Sequence, residues 1–502
     1  MYVVAHGRAP LRIETEVSDM PSRASSPQRL DRRRFIFLAA GSAAALAGVR
    51  PLSGSILTQD SELPADSRAG DWPMFGHDIR GTRSNPHETL IGPHNVAQLK
   101  VKWTFEEAEG FSQSTPIVVG DSLYFTAHDG HVYAVDTQSG RLKWKFDAWE
   151  GIQPDKIPLS QSEFRSNMFR GMRGSPGYAN GRIFVGDATA RFHCLDAESG
   201  EEIWRTVLDP LAGTHQSLIS ASPILYGEKI FIGLSTTSGR SHIACLDANT
   251  GAVRWRFDTV PDPAAAGGGA VWTAAALDPY VGIVYNVTGS IHGHVPGPML
   301  FSESMIANDM ESGELLWYDQ LRANDPFDLD YSCHPMLFEA THPTRAGVLR
   351  HCVGAGSKSG FHTFDRYTGE HLWTASVTNG GPTLNSTAYA HDKIYMVSNS
   401  ISGHGQIAQS ATVALHSYSG EVLWWTPNAS SIQGAAAYAN GLFYQGFRDG
   451  TLQALDGETG EPLWTYQLPA PRRGGIVISN GTLFTICGGT HSPPYAVYAF
   501  SL

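Results

Sequence analysis

The residues best suited to chemistry are two carboxylates, Asp328 and Asp330, in the stretch NDPFDLDY. On an extended segment, side chains two residues apart share a face. Such a pair can hold a hard, oxygen-seeking cation, and one member of it can take a proton. The flanking Asn324-Asp325-Pro326 equally suits an Asp-rich turn whose acids only cap backbone amides. Trp272 in GGGAVW is a second candidate. It falls outside the spacing of the chain's repeated tryptophans, so both a stacking surface and a packing residue stay open for it. His292 and His294 in SIHGHVPGP follow Ser290 closely and are either ligands or loop histidines. The five cysteines form no CxxC pair and no CxxCH, so neither a zinc site nor an attached c-type haem is expected. Cys194 and Cys245 both precede Leu-Asp at one point of a repeat, where small buried thiols belong. Cys333 with Cys352 is the one pairing left open.

The elements that must position these groups are repeats. VYAVDTQSGRLKW, ending at Trp144, recurs as FHCLDAESGEEIW at Trp204 and IACLDANTGAVRW at Trp255. It recurs again as MIANDMESGELLW at Trp317, FHTFDRYTGEHLW at Trp373, VALHSYSGEVLW at Trp424 and LQALDGETGEPLW at Trp464. Alternating apolar residues make half-buried strands. Asp, Thr or Ser, and Gly make the tight turn between two of them, and the Trp returns on the next strand to pack against the neighbouring unit. Spacing of about 40–60 residues is that of a four-stranded propeller blade with variable loops. An eighth unit is split: the chain ends in VYAFSL, the first half, and LKVKWTFE near the start supplies the second half with Trp103. Pairing the two ends removes both open sheet edges. The expectation is an all-β, eight-bladed β-propeller of four-stranded antiparallel blades, closed by its N- and C-terminal strands.

Composition agrees. Hydrophobic residues at 42% and charged residues at 17% supply a core and argue against disorder. A net charge of -12, with no Lys/Arg-rich run after the leader, argues against nucleic acid. The acidic balance serves solubility, or docking of a basic partner. The leader itself is Arg32-Arg33-Arg34 running into Phe35, Ile36, Phe37 and Leu38, then AAGSAAALAG. It resembles a twin-arginine export signal with a small-residue cleavage site at Ala45-Leu46-Ala47. Its apolar run is too short for a membrane anchor. The expected division is a leader over 1–47, a linker over 48–70 and the propeller over 71–502, with translation starting at Met1 or Met20. The expected location is the periplasm or outside the cell.

Beyond the bare repeat, DWPMFGHDIRGTRSNP followed by NVAQLKVKWTF, then GGGAVWTAAALDPYVGIVYNVTGS, NDPFDLDY, GSKSGFHTFDRYTG and GGPTLNSTAYAHDKIYMV occur in order. Together they resemble the pyrroloquinoline-quinone-dependent alcohol dehydrogenases across nearly all of residues 72–502. That resemblance implies a quinone in the central funnel stacked on Trp272, with Arg173 on its carboxylate and Lys358 beside its oxygens. Gln113 stands where a Glu usually touches the cofactor, and Asn385 is a further polar contact. The resemblance makes Asp328 the catalytic base. It gives Asp328, Asp330, Ser290 and Thr236 as the ligand positions of a calcium or lanthanide ion. Thr236 stands at the family's usual Glu and Ser290 at its usual Asn, and the vicinal cysteine pair of many members is absent. The implied activity is oxidation of a small or polymeric alcohol, with electrons passed to a separate cytochrome c or other acceptor. Two readings compete: a non-catalytic propeller scaffold of the outer-membrane assembly type, and a quinone-free enzyme with an altered funnel.

Overall fold

The computed structural model describes residues 63–150, 171–210, 217–236, 241–261, 268–290, 299–323, 325, 329–376, 387–403, 406–489 and 492–502. The leader and its cleavage site lie outside them. Among the described residues the chain forms eight sheets, each built on four antiparallel strands. Blades 1 to 7 span 117–147, 177–207, 224–258, 276–320, 336–375, 388–428 and 437–467. Blade 8 joins Arg472–Ser479, Thr482–Gly489 and Ser492–Ser501 to Lys100–Phe105 from the start of the chain. Trp103 pairs with Ala499 and Phe105 with Val497, so the split blade closes the ring as the sequence implies. No helix among the described residues is long and apolar enough to cross a membrane.

The Trp–Gly repeat is a code for joining blades. The indole N–H of Trp103 donates to the Thr137 carbonyl of blade 1 at 2.9 Å, and that of Trp144 to Ala197 of blade 2 at 3.1 Å. Trp255 reaches Met310 of blade 4 in the same way at 3.0 Å. The turn glycine beneath each ring is needed twice over. Gly140 has φ +71°, which favours glycine, and a Cβ there would lie 2.7 Å from the Trp103 ring. Gly200 meets Trp144, and Gly313 meets Trp255, at 2.6 Å. The pairing register slips by one residue just before each Trp, as between Val101 and Trp103 or between Glu202 and Trp204. Such a bulge re-aims the side chain that follows it, here towards the next blade. The seam between blades 7 and 8 is made differently, with Trp464 edge-on to Phe500 at 5.4 Å.

A single segment, residues 72–85, crosses the axis and touches the first strand of nearly every blade. Trp72 exchanges two backbone bonds with Val118 of blade 1, and the Pro73 carbonyl accepts from Tyr178 of blade 2. The carbonyls of Ile79, Arg80, Thr82 and Arg83 accept from Leu277, Leu337, Tyr389 and Tyr438 of blades 4 to 7. Asn85 Nδ2 donates to Ile478 of blade 8 at 2.9 Å. Arg83 is fully buried, with Trp72 and Phe75 on its faces. It donates to the carbonyls of Phe75, Ala436 and Ile476. These bonds satisfy a guanidinium that burial pushes down to about 9. From the expected linker, Asp66 also reaches the ring, accepting from the Tyr178 hydroxyl at 2.8 Å.

All five cysteines are buried and none is in a disulfide, so the Cys333–Cys352 pairing does not form. Cys352 sits inside blade 5 and Cys333 just before it. Burial pushes Cys194, Cys245 and Cys352 up to about 12, as expected of inert core thiols.

Candidate functional site

The axial segment fixes a register. Counting back five residues from each inner-strand residue it binds gives Gln113 from Val118, Arg173 from Tyr178 and Trp272 from Leu277. The same count gives Gln433 from Tyr438 and Arg473 from Ile478. Three of the residues singled out from sequence therefore stand at one level of the ring, on blades 1, 2 and 4. Gln433 and Arg473 share that level on blades 7 and 8. The sequence reading missed both, although the repeat register contained them.

Gln113 and Arg173 meet: the Arg173 Nε donates to the Gln113 Oε1 at 3.1 Å. Burial, and then the like charge of Arg473, bring the Arg173 guanidinium down to about 10. Arg473 lies over the Phe111 ring at 5.6 Å, and Phe111 stacks on His128 at 3.9 Å.

On the other side of the ring, blades 4 and 5 converge at Gly289. A Cβ there would sit 2.8 Å from Asp330 Oδ2 and 3.3 Å from Trp272 Nε1, so only glycine lets the acid and the indole approach. Lys358 Nζ lies 2.8 Å from Asp330 Oδ1, with both side chains nearly buried. The Lys358 amide also donates to the Asp330 carbonyl at 2.9 Å. Ser290 bridges two acids: its amide donates to Asp330 Oδ2 at 3.2 Å and its hydroxyl to Glu303 Oε1 at 3.0 Å. The structure thus joins Trp272, Asp330, Lys358 and Ser290. Thr236 is buried at the end of a blade 3 strand, where it pairs with Ser217 and its amide binds the Ser241 hydroxyl at 3.1 Å. Asp328, Asn385, His292 and His294 lie outside the described residues.

Glu303 is the acid that the sequence reading passed over. It is 1% exposed, in a turn where its own φ is +48°. Burial, then the charge and hydrogen bond of Asp325, push its carboxyl up to about 8, against Ser290 and Arg322. Arg322 Nη1 stands 3.4 Å from it and also donates to the Leu329 carbonyl at 3.2 Å. A carboxyl raised in the folded state holds its proton more tightly folded than unfolded, so stability falls as pH rises from about 4.5 to about 8. Glu303→Gln, measured by urea unfolding in chelator, is expected to gain roughly 1–3 kcal/mol over wild type at pH 8. At pH 5 the two should match. A wild-type advantage at pH 8 would mean that Glu303 is ionised and paired.

The oxygen donors at Ser290, Asp330 and Glu303 suit a hard cation by type. Among the described residues, no group of three or more His, Cys, Asp or Glu side chains converges tightly enough to hold one unaided. At the ring level, Gln433 Oε1 is a buried acceptor without a hydrogen-bond partner, which fits a site that a polar ligand completes.

The family model for the glucose/ethanol/alcohol dehydrogenase β-propeller domain matches residues 72–379. A model for the outer membrane protein assembly factor BamB matches residues 357–484. Quinohemoprotein alcohol dehydrogenase ADH-IIG of Pseudomonas putida is 28% identical over 345 residues, 62% of this chain and 46% of that protein. Its solved structure superposes with a TM-score of 0.74 at 20% identity, covering 87% of this chain and 81% of that one. Polyvinylalcohol dehydrogenase of a Pseudomonas species is 25% identical over 85% of this chain and 73% of its own length. A europium-containing methanol dehydrogenase superposes with a TM-score of 0.69 at 18% identity, covering 87% of this chain and 99% of that one. The chain spans about half the length of the first curated relatives it matches, 46% and 51%. With most of its length under one family model, and with the blades and ring that such a match demands, the chain belongs to the PQQ family of glucose/ethanol/alcohol dehydrogenase β-propeller domains.

Proposed function

We propose that residues 71–502 form a quinoprotein dehydrogenase that oxidises an alcohol. The observation that carries this is the convergence at Gly289 of Trp272, Asp330 and Lys358 from two different blades. Pyrroloquinoline quinone, when bound, supplies a carbonyl centre that accepts hydride from the alcohol carbon. Trp272 offers that flat group a stacking face and keeps water from it. Arg173, oriented by Gln113, takes a carboxylate in its planar fork. Lys358 would supply a charged donor to the oxygens of the quinone, and Asn385 a further polar group. Asp328 takes the hydroxyl proton of the substrate. Asp330 and Asp328, with Ser290 and Glu303 beside them, would hold a calcium or lanthanide ion. Thr236, on its blade 3 strand, is the fourth ligand position that the family likeness gives.

In this reading the chain is exported through its twin-arginine leader and works in the periplasm, with a separate cytochrome c or other acceptor taking the electrons. The likeness to polyvinylalcohol dehydrogenase supports a polymeric alcohol beside a small one. The match of residues 357–484 to an assembly-factor model favours a second reading, a non-catalytic scaffold. Mixing the protein with the quinone and calcium or lanthanum separates the two. A shifted quinone absorbance and alcohol-dependent dye reduction are expected, with primary, secondary and polymeric alcohols tried in turn. If neither appears with either cation, the scaffold reading or a quinone-free enzyme with an altered funnel takes over.

A further inference from the structure

The ring level is divided. Blades 7, 8, 1 and 2 present Gln433, Arg473, Gln113 and Arg173 in succession, while blade 4 presents Trp272, blade 5 presents Ser332, and the Asp330–Lys358 pair meets Trp272 across Gly289. Two guanidiniums and two amides therefore share one arc of the level, and the indole stands on another. The chain as a whole carries -12, so cations gathered on this arc run against the general balance. Like charges placed together cost free energy unless an anion sits between them. Among the described residues Arg473 is in no salt bridge with a carboxylate; it rests on Phe111, and it and the cations Arg173 and Arg448 act on one another by like charge. The first strand of blade 8 is irregular where Arg473 lies, its pairing slipping between Arg472 and Ile476. Gly475 there donates to the Ser114 carbonyl at 3.0 Å, directly beside Gln113. The strand start that carries Arg473 is thus tied to the backbone beside Gln113, and the Arg473 charge acts on Arg173.

We propose that Arg473, supported by Gln433, is a second carboxylate-binding residue of the funnel, on the same arc as Arg173, and that the site recognises a planar ligand through at least two carboxylates. Under the quinone reading above, on which this rests, that ligand is the tricarboxylate cofactor, and Arg473 is a further cofactor-binding residue. A carboxylate of the substrate is the other source of the same chemistry. A guanidinium suits either, because its fork binds a carboxylate with two parallel bonds.

Calorimetric titration of full-length protein with two probes, pyrroloquinoline quinone and benzene-1,3,5-tricarboxylate, tests this. Arg473→Ala is expected to weaken quinone binding at least tenfold, with Gln433→Ala weakening it less. Arg473→Lys should recover part of the loss, and melting temperatures should stay at the wild-type value because Arg473 is only half-buried. Equal affinity of Arg473→Ala and wild type for both probes overturns the proposal. Binding of the tricarboxylate alone, lost in Arg473→Ala, upholds the carboxylate site and overturns the quinone reading. Unchanged quinone affinity with a raised KM for a hydroxy acid overturns the cofactor role and places the arginine on the substrate. Failure of wild type to bind either probe overturns both.

Discussion

Asp328→Asn is expected to lower kcat for dye-linked alcohol oxidation by about 10²–10⁴, the usual worth of a positioned base. Asparagine keeps the shape but loses both the basicity and the charge that would help hold the cation, so quinone affinity is compared at saturating calcium or lanthanum, where it should change far less than kcat. Asp330 is the natural rival for the role, two residues away. Its oxygens are already committed, Oδ1 to Lys358 at 2.8 Å and Oδ2 to the Ser290 amide at 3.2 Å, so accepting a proton would compete with both. Asp330→Asn should therefore act on stability first. Depriving a buried Lys358 of its carboxylate is expected to cost about 3–5 kcal/mol, the size found when one partner of a buried ion pair is removed. Comparing kcat with urea midpoints for the two variants separates the roles. Activity surviving in Asp328→Asn and lost in a well-folded Asp330→Asn would exchange them.

Removing residues 497–502 should destroy the folded ring. Those residues carry the register of the closing pair, from Val497 on Phe105 to Ser501 on Lys100, and on their other side they pair with Leu483–Ile486. Val497, Tyr498 and Phe500 are buried. At about 1.5–3 kcal/mol for each large apolar side chain, the loss is roughly 5–8 kcal/mol before any hydrogen bond is counted. That rivals the whole stability of an ordinary domain, about 5–15 kcal/mol. It also exposes two strand edges that would pair between molecules. Removal of the exposed Leu502 alone should be neutral. Thermal melting by circular dichroism, with light scattering for aggregation, checks both; a truncated chain melting within a few degrees of the full one would refute the closure.

Much of the fold was legible because its joints are local. A Gly four residues before a Trp is visible in a single strand of text, and the indole of one blade does require the glycine of the next, as Trp103 does Gly140. The split blade was legible for the same reason, since VYAFSL and LKVKW are halves of one pattern. The axial segment was not. Its bonds run between backbone groups, which any residue carries, so Ile79 or Thr82 leaves no mark of the strand it will meet. Within the site, Trp272, Asp330 and Lys358 were found by likeness to a family. Glu303, Gln433 and Arg473 were not found because they owe their place to register and turn geometry. Counting from the repeat would have reached Gln433 and Arg473. Glu303 needed the turn that folds it onto Ser290.

The axial segment also sets the order in which this protein can mature. Arg83 and Asn85 are among the first propeller residues to be synthesised, yet they bond to Ile476 and Ile478, which lie 393 residues further on. Loop closure over such separations is slow, and contacts of this kind dominate the folding time of all-β chains. A growing chain can complete blades 1 to 7 in turn, but their axial amides must wait, since the segment that satisfies them gains its last anchors only with blade 8. Partly made propellers are therefore open rings with an unsecured thread, the exposed state from which large proteins aggregate. The native ring has the reverse property: a bonded blade cannot leave without drawing the thread from the others, so its lifetime is set by a barrier that blades 1, 2 and 4 to 8 share.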